Sequence, residues 1–164
     1  MSHAGRAEKY GVLLVAGAQT HQENYARAFA ADSRCRLIGL TDEPNISPRR
    51  RELNERLARE LDVPYLPKLD DALKRDDVEI VSICAEPERR GPIAVKCARA
   101  RKHLYLDKSL CPSLAEADAV VAAVREAGVR SHMFSFIPQE WARLAQLAAS
   151  DSRIGELRAI HADI

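Results

Sequence analysis

The chain has 164 residues, 46% hydrophobic and 30% charged, which fits one globular domain large enough to bury a sizeable core. Its 25 basic and 24 acidic side chains leave a net charge of +1, so the overall balance marks no nucleic-acid or anionic-membrane partner. The polar start MSHAGRAEKY does not read as a signal peptide, and no apolar run approaches the roughly 18 residues that span a bilayer. A cytoplasmic protein without a membrane segment is the expectation.

In chain order, GVLLV (11–15) reads as a strand apolar on both faces, and a helix pattern covers about 21–31. RLIGLT (36–41) is the next strand. Leu53, Leu57 and Leu61 recur at four-residue spacing and predict a helix over 48–61. VPYL (63–66) reads as a short strand and 69–74 as a short helix. EIVSIC (79–84) is β-like, PIAVKCARA (92–100) is helical with Pro92 suited to a first turn, and HLYLD (103–107) is again a strand. Ser113 and Glu116 form an S-x-x-E capping box, Leu114, Ala117, Val121 and Val124 are expected along one face, and Gly128 supplies the stop. SHMFSF (131–136) predicts a sixth strand, and a helix around Trp141, Leu144 and Ala148 comes after it.

Strands apolar on both faces, each followed by a helix, imply a doubly wound parallel α/β sheet. One domain is expected over 8–150. ELRAIHADI (156–164) alternates like a half-exposed strand and would leave an open edge, so 151–164 reads as the start of a second, truncated domain. Cys35, Cys84, Cys97 and Cys111 form no C-x-x-C pair and the five histidines do not cluster, so reduced buried thiols and no metal site are expected.

Ligands of such a sheet bind off the carboxyl ends of the strands, near the reversal of strand order. AGAQTH (16–21), TDE (41–43), AEPERR (85–90) and DKSL (107–110) fall there. Gly17, between Ala16 and Ala18, lets the backbone approach a phosphate, and Thr20 with Glu23 reads as a second capping box. Against that, the spacing G-x-G-x-x-G is absent and Glu23 puts a carboxylate into the turn. Asp42 ends the second strand 25 residues after Gly17, where an acid accepts from an adenosine ribose and leans toward NAD over NADP. The run Arg49–Arg51 could bind a 2′-phosphate, though a solvated first turn is the plainer reading. Lys108, beside Asp107, comes directly after the fifth strand where a nicotinamide would lie and could orient a substrate hydroxyl or move its proton. The alternative is a lysine in a surface connection.

The stretch EIVSICAEPERRGPIAVKCARARKHLYLDKSLCPSLAEADAVVAAVREAGV (79–129) resembles the glucose–fructose oxidoreductase/inositol dehydrogenase (Gfo/Idh/MocA) family. AEP (85–87) resembles its ATP element, ARKH (100–103) its AGKH element, DKS (107–109) its EKP element, and SRIGELRAI (152–160) the G-x-I-G-E-L run that leads to its second domain. The resemblance implies a Rossmann-type NAD(P)-binding domain of an oxidoreductase acting on sugars, cyclitols or related small molecules. It also implies a rear domain that completes the substrate pocket and makes homo-oligomer contacts. Ala16, Gly17, Ala18 and Thr20 would face the pyrophosphate, Asp42 the ribose, Glu86 and Pro87 the cofactor's central part, and Asp107 with Lys108 the reacting end. Lys108 would be the catalytic lysine. Glu86 and Glu88 depart from the usual threonine and asparagine and add negative charge that a neighbouring arginine, Arg89 or Arg90, would have to compensate; Ser109 departs from the usual proline, and FSFIP (134–138) lacks an asparagine–arginine pattern. Those departures keep open a degenerate, non-catalytic binding module.

Overall fold

Every predicted strand of the front part pairs in parallel in the computed structural model, which describes residues 9–17 and 19–134. The elements are β1 (Tyr10–Val15), α1 (Gln22–Ala31), β2 (Cys35–Thr41), α2 (Pro48–Glu60), β3 (Tyr65–Leu66) and α3 (Leu69–Leu73), followed by β4 (Ile80–Ile83), α4 (Pro87–Arg99), β5 (His103–Leu106), α5 (Leu114–Ala127) and β6 (Ser131–Met133). The strand order β3-β2-β1-β4-β5-β6 is that of a doubly wound sheet, and it reverses between β1 and β4. The expected boundary near 150, the helix around Trp141 and the strand at 156–164 lie outside the described residues.

Alternation along β1 builds two cores. Leu13 and Val15 join Val81, Ile83, Leu104 and Leu106 on one face, under α3, α4 and α5. Val12, Leu14 and Leu40 face the other way, against Ala26 of α1 and Leu57 and Ala58 of α2. The pairing register aligns the strand ends. Val15 pairs with Thr41 and with Ile83, and Ile83 pairs with Leu106, so four strands reach their carboxyl ends in one row. Backbone bonds extend the row by one residue, from Ala16 N to Thr41 O, Cys84 N to Val15 O and Asp107 N to Ile83 O.

Three local expectations need correction. Helix α4 starts at Pro87, five residues before Pro92, because Pro87 and not Pro92 takes the favoured first position. Pro92 is interior, and the bond it cannot make falls on an exposed side of the helix. In α5 the buried stripe is Val120 and Ala123, while Leu114 is 84% and Val121 40% exposed. So many alanines fill this helix that several faces look equally apolar in sequence. Finally, α1 is capped by His21 without a side-chain bond; Thr20 Oγ1 instead accepts from Gln22 N at 3.0 Å and donates to Gly17 O at 2.7 Å. The Ser113 cap holds, with its Oγ accepting from Glu116 N at 3.2 Å, and Gly128 ends α5 at φ 66°. All four cysteines are free thiols, with Cys84 and Cys97 buried.

The rotated face of α5 gives a paired prediction. Val120→Asp buries a charge without a partner and should cost about 3 kcal/mol or more, whereas Leu114→Asp should stay within about 0.5 kcal/mol of the wild type. Urea midpoints of the two variants measure this; equal losses would contradict the observed face.

Candidate functional site

The aligned strand ends bring Ala16 and Gly17, Asp42, Glu86 and Pro87, and Asp107 and Lys108 to one rim of the sheet. Ala18 lies outside the described residues. Gly17 is needed for a reason the sequence did not announce: a Cβ there would lie 2.8 Å from Asn54 Oδ1 and 2.9 Å from Asn54 Cα, so the loop is pressed against α2. Gln19 sits two residues on, at φ 63°, a left-handed conformation that favours glycine. Gln22 sits five residues on. Gln19 and Gln22 therefore take the second and third places of the G-x-G-x-x-G spacing.

Gln22 is fully buried at the strand-order reversal. Its Nε2 donates to Val15 O at 3.2 Å and Ser82 O at 2.9 Å, and its Oε1 accepts from Ser82 Oγ at 2.8 Å and Cys84 Sγ at 3.3 Å. The amide thus ties β1 to β4 with every bond satisfied.

Two buried carboxylates flank this point. Asp42 is fully buried. Its Oδ2 accepts from Asn54 Nδ2 at 2.9 Å, and its Oδ1 accepts from Glu43 N and from Arg89, each at 2.8 Å. Arg89 also reaches Glu43 Oε2 at 3.2 Å and Glu86 Oε2 at 2.7 Å, and Arg50 donates to Glu86 Oε1 at 2.9 Å. One guanidinium therefore serves three carboxylates. Burial alone would lower the Arg89 pKa, but Asp42 and Glu86 raise it overall. Burial alone would raise Glu86; its backbone bond, Arg89 and Arg50 prevail and bring it from 4.5 to about 2. Beside this network a cleft of about 580 Å³ opens, lined by Glu43, Asn45, Ser47, Arg50, Glu86 and Arg89 among others.

Asp107 is the second. It accepts from His21 Nδ1 at 3.0 Å and from Tyr25 OH at 2.9 Å, with Arg90 Nη2 at 3.6 Å. Burial pulls its pKa up, but the His21 and Tyr25 bonds outweigh that and hold it below the ordinary carboxylate value. An ionised carboxylate only accepts, so His21 Nδ1 is the donor in this bond. Tyr25 is pushed up, first by burial and then by its bond to Asp107. Arg90 is 3% exposed and donates to Ala85 O through Nη2 at 2.8 Å, to Asp107 O through Nη1 at 3.2 Å, and to Ser109 O. It thereby fixes the carbonyls on both sides of Lys108, which is exposed at the rim; the Lys108–Ser109 peptide is cis.

Sequence reading reached the backbone positions and the arginine beside Glu86, Arg89, but missed His21, Gln22, Tyr25 and Asn54. Counting two and five residues on from Gly17 would have found Gln19 and Gln22. Their place beside Glu86 and Glu88 marked the arginines as compensating charge, which Arg89 is for Glu86, but gave no sign of Asp42 and Asp107 as further partners.

Strand order, crevice and rim define a doubly wound nucleotide-binding domain. The family model described as "Oxidoreductase family, NAD-binding Rossmann fold" (Gfo/Idh/MocA) matches residues 12–135, and the chain belongs to that family. It is 36% identical over 61 residues to 4-carboxy-2-hydroxymuconate-6-semialdehyde dehydrogenase of Sphingobium sp., covering 37% of this chain and 19% of that protein. Among solved structures it is similar to GenD2 from gentamicin A biosynthesis in complex with NAD, with TM-score 0.72 and 27% identity over 91% of this chain and 41% of that one. It is also similar in fold to KijD10, a 3-ketoreductase from Actinomadura kijaniata with NADP, with TM-score 0.69 and 19% identity over 87% of this chain and 43% of that one. The chain spans less than half the length of these structures. No helix among the described residues is long and apolar enough to cross a membrane.

Two outcomes check the electrostatic frame. Arg90→Met leaves Ala85, Asp107 and Ser109 carbonyls without their donor and should cost about 3 kcal/mol or more, measured as a lower urea midpoint. Glu86 binds its proton more weakly in the folded chain than in the unfolded one. Its contribution is therefore complete above about pH 4.5 and is lost as the pH falls toward about 2. Thermal melts should show Glu86→Gln losing less stability than the wild type across that window; parallel losses would contradict it.

Proposed function

We propose that the chain is the coenzyme-binding part of an oxidoreductase that interconverts CH–OH and carbonyl groups of small molecules such as sugars or cyclitols, and that it prefers NAD to NADP. The observation that carries the reading is the single rim formed by the ends of β1, β2, β4 and β5.

The residues present fit a dinucleotide. The cleft at the end of β2 suits an adenosine, and Glu43, partly exposed on its wall, can accept from ribose hydroxyls. Asp42, the expected ribose partner, is wholly engaged by Arg89 and Asn54, so its role in this reading is to hold Arg89 and Glu43 in place. A 2′-phosphate would need a cation to receive it. Arg89 is already bound by Asp42, Glu43 and Glu86, and Arg50 by Glu86, which supports NAD. At the other end Arg90 fixes the loop that presents Lys108, whose Nζ would hold the substrate hydroxyl and take or return its proton. The bound dinucleotide supplies the hydride acceptor or donor.

The glutamines in the glycine places and the carboxylate of Glu23 favour a second reading, a module that kept the fold but lost the coenzyme. Fluorescence titration separates the two. NADH should bind saturably and at least about tenfold more tightly than NADPH, a difference of about 1.4 kcal/mol. Equal or tighter NADPH binding overturns the NAD preference, and no saturable signal from either favours the module.

A further inference from the structure

We infer that Glu23 is an internal occupant of the phosphate turn and sets how tightly the turn holds a dinucleotide; this rests on the dinucleotide reading above. Gln19 N donates to Glu23 Oε1 at 2.5 Å. That N–H belongs to the second place of the glycine spacing, the point at which the backbone comes nearest a pyrophosphate. Glu23 lies in the first turn of α1, where the aligned N–H groups favour an anion, and it brings its own. Thr20 does not serve the amide: its hydroxyl donates to Gly17 O and accepts from Gln22 N.

The carboxylate is only half accommodated. Glu23 Oε2 is shut off from solvent and has no hydrogen-bond partner among the described residues. A charged oxygen left in that state disfavours the occupied arrangement, so a competing anion does not have to break a fully satisfied contact. A diphosphate and the Glu23 carboxylate cannot share the Gln19 amide, and their like charges repel across the turn. Coenzyme binding therefore requires Glu23 to leave, and the work of moving it is subtracted from the affinity. Gln19, held at φ 63° where glycine is favoured, carries the amide that the two anions contest.

The test is NADH titration of the chain, by fluorescence and calorimetry, for the wild type, Glu23→Gln and Glu126→Gln. Glu126 is exposed on α5, away from the turn, and controls for the lost charge alone. Glu23→Gln should tighten NADH binding by about tenfold, which is about 1.4 kcal/mol, while Glu126→Gln leaves it unchanged. If the wild type binds NADH and Glu23→Gln binds no better, the inference falls and the dinucleotide reading stands. If both variants tighten binding equally, general charge and not occupancy is responsible, and the inference falls. If none of the three binds, the dinucleotide reading itself falls. A measurement on the wild type covers the case in which Glu23→Gln does not fold. The Gln19 amide proton should resonate far downfield in the free chain and change its shift as NADH saturates; an amide indifferent to NADH overturns the inference.

Discussion

Parallel register is the constraint on which the rim depends: Val15, Thr41, Ile83 and Leu106 end their strands side by side, so the loops that leave them start from the same edge. Residues from four distant parts of the chain meet there without any long loop having to be ordered. The alternation that builds the two cores keeps that register in place. A slip of one residue would turn Leu13 and Val15 out of one core and Val12 and Leu14 out of the other.

Charge is handled by one device used twice. Asp42 and Asp107 are both buried, and each is held by a guanidinium from the first turn of α4, Arg89 for Asp42 and Arg90 for Asp107. The two arginines are adjacent in sequence and diverge to opposite ends of the rim. Side-chain hydrogen bonds from Asn54, and from His21 and Tyr25, complete each group. Such pairs do little for net stability, but removing one member leaves a buried charge uncompensated. Their effect is positional. Arg89 orients Glu43 and Glu86 around the cleft, and Arg90 shapes the loop that carries Lys108.

The strands and most helices were legible in the sequence because apolar periodicity is a local signal that the core repeats faithfully. Gly17, Asp42, Pro87 and Lys108 were legible as positions, since each lies at the end of a β-type run. What periodicity could not reveal was the use of each side chain. Asp42 reads as a ribose acceptor and is fully bonded within the protein; Arg90 reads as compensation for Glu86 or Glu88 and instead is buried on the Ala85, Asp107 and Ser109 carbonyls. Both depend on contacts between residues 17 to 47 positions apart, which no local pattern encodes. The face of α5 was misread for a different reason: alanine is compatible with both sides of a helix, so Leu114 and Val121 drew attention that belonged to Val120 and Ala123.

The proposed enzyme and the degenerate module share this fold and differ in whether the turn before α1 and the loop after β5 engage a single molecule. A crystal structure of the chain grown with saturating NAD addresses that directly. One coenzyme should lie extended along the rim, its adenosine beside Glu43, its phosphates at Gln19 with Glu23 turned away, and its nicotinamide beside Lys108. A coenzyme bound elsewhere, or a rim that stays empty at saturation with Glu23 still on the Gln19 amide, would contradict the proposed enzyme.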